Sequence, residues 1–259
     1  MKKRYLFFDI DGTLAAGGYE RTYVPESAMR ALSKLRDAGH FLCIATGRSH
    51  GMAVEFMDLF GIANMVSDGG NGLTIDGQFL GVEPLPREKV AALLAECDEK
   101  DFPWGLVVDD TPRRVCPDAR FLDFTQDDYM ETVIVPGAGV EQYPDVYKVN
   151  IACYAPNEMW LDTLSDLPWA RFHDDYLFVE PTDKARGIRR VMDRLGASYE
   201  DVIVFGDAMN DLSMFVPEWT CVAMGNACDE LKAKADYVTT RAEEDGIYNA
   251  CLALGLFEG

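Results

Sequence analysis

Asp9 and Asp11 close an apolar run, Tyr5 to Phe8, and stand directly before Gly12. Three further groups have the same character: Thr46, Gly47 and Arg48; Lys184; and Asp207, Asn210 and Asp211. Carboxylates that converge repel one another and raise their own pKa values unless a cation lies among them. If the strands ending at Asp9 and Asp207 are neighbours, they lie about 4.8 Å apart. Both carboxylates then reach a shared Mg²⁺ ion at its usual distance of about 2.1 Å. Oxygen ligands with no histidine or cysteine beside them favour Mg²⁺ over zinc.

Such a carboxylate can also be a nucleophile, forming an acyl phosphate that water later hydrolyses. A phosphoryl group in transfer spreads charge over its oxygens, so it needs a cation and hydrogen-bond donors around it. Lys184 suits the cation, and the predicted helix that it opens would add backbone donors for an anion. Thr46 offers a hydroxyl and Gly47 an unobstructed N–H. Asp11 could protonate the leaving oxygen and then activate water. Arg48 has two readings of equal weight, reaching substrate or pairing with an acidic neighbour. The three histidines, His40, His50 and His173, read as surface residues.

These groups need a scaffold that brings strand ends to one edge. Tyr5 to Phe8 reads as a strand buried on both faces, as in a parallel sheet. Residues 25–38 carry Ala28, Ala31, Leu32 and Leu35 at helical spacing, with Pro25 at the start and Gly39 at the stop. A strand at 41–45, a helix at 50–59 and a strand near 63–67 follow, ending in the glycine-rich Asp68 to Gly72, whose glycines suit a turn of positive φ. After residue 181 the rhythm resumes: a helix over 184–195, strands at 202–205, 221–224 and 236–239, and a helix near 243–254. This alternation predicts an α/β fold, a Rossmann-like doubly wound parallel sheet, with chemistry at the carboxyl ends of the strands.

Between residues 82 and 180 the pattern changes. Strands are expected at 104–108, 132–135, 146–154 and 176–179, with helices at 87–99 and 157–167. Tyr147, Val149, Ile151 and Cys153 alternate with Val146, Lys148, Asn150 and Ala152, which predicts a half-exposed antiparallel strand. The segment reads as an α+β insertion. Residues 1–81 and 181–259 would form the core and 82–180 a cap. In the insertion Asp110, Arg113, Arg114, Lys148 and Asn150 are candidate leaving-group contacts, with solvated surface the stronger reading of each.

The 259 residues are 48% hydrophobic and 26% charged, the balance of a globular chain with a substantial core. A net charge of -20 argues against a nucleic-acid partner or an anionic membrane. The seven cysteines are scattered without a CxxC pair, which suggests neither zinc nor disulfides and favours a cytoplasmic setting. The apolar stretch of MKKRYLFF ends after four residues, too short for a signal peptide.

The strings DIDGTL (Asp9–Leu14), ATGR (Ala45–Arg48), Lys184 and GDAMND (Gly206–Asp211) resemble, in order, the four motifs of the haloacid dehalogenase superfamily of phosphohydrolases. AMGNA (Ala223–Ala227), ADYVT (Ala235–Thr239), EDGI (Glu244–Ile247) and the place of the insertion resemble its Cof-type, type-IIB branch. The resemblance implies a nucleophile in Asp9 and a general acid/base in Asp11. It implies Mg²⁺ on Asp9, the Asp11 carbonyl and Asp207, with Asp211 supporting or water-bridged. Phosphate would meet the Ile10 backbone, Thr46, Gly47, Lys184 and Asn210. The expected activity is hydrolysis of a small phosphorylated metabolite, sugar phosphates leading, beneath a mobile cap. A phosphomutase and a non-catalytic phosphometabolite-binding regulator are the alternatives.

Overall fold

The computed structural model describes residues 2–17, 22–171 and 173–258. The chain divides into two compact units, one of Met1–Arg48, Ala53–Gly81 and Asp183–Gly259, the other of Ser49–Met52 and Val82–Thr182.

The first unit is built on strands β1 (Tyr5–Phe8), β2 (Phe41–Ala45), β3 (Met65–Ser67), β4 (Gly72–Ile75) and β5 (Gln78–Val82). Three later strands, which we number β12 (Val202–Gly206), β13 (Thr220–Ala223) and β14 (Tyr237–Val238), complete its sheet in the order β14-β13-β12-β1-β2-β3-β4-β5. From β14 to β3 the neighbours pair in parallel, and β4 runs antiparallel to β3.

Side-chain alternation along β1 explains the double winding. Leu6 and Phe8 enter a core made with helices α1 (Glu26–Asp37), α2 (His50–Phe60) and α7 (Gly246–Ala253). Phe7 enters another, made with α5 (Lys184–Leu195) and α6 (Asp229–Lys234). A strand buried on both faces cannot alternate with polar residues, hence its unbroken apolar run.

Strands β6 (Trp104–Val107), β7 (Arg113–Cys116), β8 (Glu131–Ile134), β9 (Lys148–Ala152), β10 (Trp169–Ala170) and β11 (Tyr176–Val179) form the second unit's sheet. Their order is β10-β11-β9-β6-β7-β8. Helix α3 (Arg87–Glu99) buries Val90, Leu93, Leu94 and Cys97 with Leu106, Val149, Ile151, Leu177 and Val179. The short α4 (Arg120–Thr125) brings Phe121 into a smaller cluster with Cys116, Ala152, Tyr176 and Phe178.

Three expectations for this segment are corrected. β9 is an inner strand, and all five of its residues are buried rather than half-exposed. Its polar members are accommodated differently: Lys148 Nζ meets Glu180 Oε2 at 2.6 Å, whereas both side-chain atoms of Asn150 lack a hydrogen-bond partner. Arg114 is likewise buried, paired with Asp127 and lying 4.5 Å over the Phe121 ring. The antiparallel pairing expected for β9 holds with both its neighbours, β11 and β6, in a sheet where β7 and β8 pair in parallel. Finally, the helix expected at 157–167 is two 3₁₀ turns, Asn157–Trp160 and Asp162–Asp166. Leu161, buried between the two turns, has extended backbone and so interrupts the helical path.

Candidate active site

The register of the sheet assembles the site. Phe8 of β1 is the Cα partner of both Phe205 on β12 and Ile44 on β2. Asp9 therefore leaves the sheet between Asp207 and Thr46, each two residues beyond those partners. Backbone bonds extend the alignment, with Asp9 N–H donating to Phe205 O at 3.0 Å and Thr46 N–H to Val66 O at 2.9 Å. Ile10 buries its side chain in the core, which leaves its backbone for the edge.

Gly12 then turns the chain with φ +84°, and a Cβ there would lie 2.6 Å from Asp207 Cγ. Only glycine allows both the left-handed turn and so close a carboxylate. Two residues that sequence reasoning did not single out hold Asp207. Thr13 Oγ1 donates to Oδ1 at 3.0 Å, and Asn226 Nδ2 donates to Gly12 O at 2.8 Å and to Oδ2 at 3.4 Å. Asn226 also accepts from Ala242 N–H at 3.0 Å through Oδ1. Both residues lie inside quoted strings, DIDGTL and AMGNA, which were their available signal.

Lys184 comes from α5, far along the chain, and the glycine-rich loop decides where that helix starts. Gly70 passes against the backbone of Asp183 and Lys184, and a Cβ on Gly187 would lie 2.9 Å from Gly70 Cα. This close approach is a second reason for the glycines, beside the φ of 58° at Gly69 and 113° at Gly70. Lys184 is 1% exposed, and its Nζ donates to Asp9 Oδ1 at 2.7 Å and to Asp211 Oδ1 at 2.5 Å.

The expectation that the α5 N-terminus offers spare donors is corrected in part. Lys184 N–H donates to Ser213 Oγ at 3.1 Å, and Arg186 N–H donates to the cap residue Asp183 at 2.9 Å.

Asp211 is wholly buried with both oxygens engaged: Oδ1 by Lys184, and Oδ2 by the N–H groups of Asp207 at 2.9 Å and Ala208 at 3.1 Å. Asn210 carries a buried Oδ1 without a hydrogen-bond partner, and a Cβ at Gly47 would lie 3.7 Å from its Nδ2. An unpaired buried amide oxygen costs about 1–3 kcal/mol, so this spot is polar without being internally satisfied.

Of the two readings for Arg48, the structure brings the residue to an acidic neighbour. Its Nε donates to Asp11 Oδ2 at 2.9 Å and its Nη2 to Oδ1 at 2.8 Å. The histidines are placed more usefully than on open surface. His40 is buried, receives Arg4 N–H at Nδ1 and meets Leu256 O at 2.8 Å through Nε2. His50 meets Asp110 at 2.6 Å, and His173 stacks on Tyr176.

Burial, then the nearby Asp211 charge, raises the Asp9 carboxyl well above its usual range, although Lys184 opposes the shift. The same two causes lift Asp207 to about 7. Burial alone would lower the Lys184 ammonium, but Asp211 and Asp9 outweigh it and hold the group charged. Carboxylate oxygens of Asp9, Asp207 and Asp211 all lie within 4.8 Å of one another. That donor set, all oxygen and short of positive charge, fits a hard divalent cation.

A parallel sheet with carboxylates and a buried lysine at one edge defines the class. The haloacid dehalogenase-like hydrolase model matches residues 6–121 and 162–251. The chain belongs to that family and is an enzyme of its phosphatase type. It is 32% identical to YkrA of Bacillus subtilis (strain 168), provisionally named a phosphatase, with 100% of each chain covered. Pyridoxal phosphate phosphatase YbhA of Escherichia coli (strain K12) is 27% identical over 95% of this chain and 97% of its own. Among solved structures, the subclass IIB sugar phosphatase BT4131 superposes with a TM-score of 0.77 at 28% identity, covering 98% of this chain and 100% of that one.

Proposed function

We propose that the protein is a Mg²⁺-dependent phosphatase of small phosphorylated metabolites, sugar phosphates first among them, acting through an aspartyl phosphate on Asp9. The observation that carries this reading is the buried contact of Lys184 Nζ with Asp9 Oδ1 at 2.7 Å, which fixes the carboxylate and supplies charge for an incoming phosphoryl group. Asp9 attacks phosphorus as the leaving oxygen departs with a proton from Asp11, and water activated by Asp11 then hydrolyses the acyl phosphate.

Thr46, Gly47, Asn210 and the Ile10 backbone would hold the phosphate oxygens, with the Asn210 Nδ2 amide, beside Gly47, as the donor of that side chain. The Asp9 and Asp207 carboxylates and the Asp11 carbonyl would hold Mg²⁺. Asp211 would support them without direct ligation, since its oxygens already serve Lys184 and two amides. When bound, the cation would neutralise charge on the phosphoryl oxygens.

The first unit would act as the catalytic core and the second would select the leaving group. The sugar phosphatase likeness supports sugar phosphates, and the YbhA likeness keeps pyridoxal phosphate as the next candidate. All seven cysteines are unpaired, which supports a reducing, cytoplasmic setting. No helix among the described residues is long and apolar enough to cross a membrane.

The test is phosphate release from a panel of sugar phosphates, pyridoxal phosphate and nucleotides, with and without Mg²⁺. Turnover should require the metal, and Asp9→Asn should abolish it while leaving the circular dichroism unchanged. Retained turnover in that variant would remove Asp9 as nucleophile. Interconversion of sugar phosphates without phosphate release would favour the mutase, and no turnover on any panel member the binding regulator.

A further inference from the structure

We infer that Arg48 is a positioning residue for proton transfer by Asp11, an assignment that rests on the phosphatase reading and extends it. Asp11 is a partly exposed carboxylate, with its side chain 41% accessible to solvent. Its two side-chain hydrogen bonds among the described residues both come from the one guanidinium, Nε to Oδ2 and Nη2 to Oδ1. A fork of this kind fixes the carboxylate plane as a single hydrogen bond cannot.

Arg48 is itself fixed by three contacts. Its N–H donates to Thr46 Oγ1 at 3.1 Å, its carbonyl accepts from Asp68 N–H at 2.8 Å, and its guanidinium lies 5.0 Å over the Phe56 ring. The residue that aims Asp11 is thus tied to the Thr46 loop and to the glycine-rich loop that seats α5. An ordinary exposed ion pair has no such anchoring and contributes about 0–1 kcal/mol.

The consequence lies in the first half-reaction. The bond from phosphorus to the leaving oxygen breaks as the bond to Asp9 forms, and the proton of the Asp11 carboxyl passes to that oxygen. The leaving alcohol departs neutral and Asp11 becomes the carboxylate that the Arg48 fork matches. In the second half-reaction a water proton returns to Asp11 as the water oxygen bonds to phosphorus and Asp9 is released. Poor leaving groups depend on that first proton, whereas p-nitrophenolate leaves without it.

The experiment compares kcat/KM for β-glycerol phosphate, phenyl phosphate and p-nitrophenyl phosphate in the wild type, Arg48→Ala, Arg48→Lys and Asp11→Asn. A misaimed catalytic group loses about 10²-fold, and that loss is expected for Arg48→Ala on β-glycerol phosphate. On p-nitrophenyl phosphate the fall should stay within about fivefold, the worth of a surface ion pair. Phenyl phosphate should fall between them, and Arg48→Lys should recover only part of the loss. In the Asp11→Asn background, Arg48→Ala should remove little more.

Equal losses on all three substrates would mean that Arg48 acts on the phosphate and would overturn the assignment. So would unchanged rates, or a full additional loss in the double variant. Failure of the phosphatase reading is separate, since it shows as no metal-dependent turnover of any of these esters by the wild type.

Discussion

Lys184→Met tests the electrostatic balance of the site more severely than any other single change. The ammonium is the only positive side chain in contact with Asp9 and Asp211 among the described residues, and Asp207 lies within the same cluster. Removing one partner of a buried pair costs about 3–5 kcal/mol. At about 2–4 °C per kcal/mol for a domain of this size, melting of the metal-free protein should fall by roughly 6–20 °C.

The loss should also depend on pH with a definite sign. Asp9 and Asp207 have raised pKa values in the folded protein, so the native state keeps protons that the unfolded chain has released. Stability contributed by those protons is present below the unfolded carboxylate range. It is lost as pH rises toward the folded value, about 7 for Asp207. Lys184 lowers both pKa values. Without it the window extends upward, and the deficit of the variant should widen between about pH 5 and about pH 8. Thermal unfolding followed by circular dichroism, at several pH values with and without Mg²⁺, reads all of this. The metal should raise the melting temperature of the variant more than that of the wild type. A deficit that stays constant across that pH range, or melting indistinguishable from the wild type, would refute the charge balance drawn here.

Gly12→Ala should weaken Mg²⁺ binding as well as the fold. The left-handed backbone costs about 1–2 kcal/mol and the new Cβ displaces the Asp207 carboxylate, so calorimetric titration with Mg²⁺ should show lower affinity. Gly187→Ala should destabilise by about 1–3 kcal/mol through overpacking against Gly70, with a lower kcat in steady-state assays as Lys184 shifts. Asn226→Ala should cost about 1–3 kcal/mol in urea unfolding, because Gly12 O and Ala242 N–H each lose a partner.

The core was legible because its strands are buried on both faces and its candidate site lies in short strings at their ends. Tyr5–Phe8, Phe41–Ala45 and Val202–Gly206 are each apolar without interruption, and the polar residues that follow them fall at one edge by register alone. The inserted unit was harder for a matching reason. Its polar residues do not mark a wet face: Arg114, Lys148 and Asn150 are all buried, two of them in ion pairs whose partners lie 13 and 32 residues away. Pattern reading prices a lysine or an arginine as exposed, and only the fold reveals a partner that pays for its burial. The 3₁₀ turns at 157–166 were missed because a spacing of three, as in Leu161, Leu164 and Leu167, fits a helical template, whereas the extended backbone at Leu161 that separates the turns leaves no mark in the sequence.

Within the site, what the motifs could not convey is which carboxylate is already committed to groups of the protein. Asp9, Asp207 and Asp211 look alike as letters, and the mutual proximity of their oxygens makes them look alike as a cluster. Their hydrogen bonds separate them. Asp211 is committed to Lys184 on one oxygen and to two backbone amides on the other, so it acts as a fixed counter-charge inside the protein. Asp207 is held from its flanks by Thr13 and Asn226, which orients its carboxylate. Asp9 gives one oxygen, Oδ1, to Lys184, and that contact distinguishes its two oxygens. The lysine thus ties Asp9 to Asp211, and the glycine crossing at Gly70 and Gly187 sets where that lysine stands.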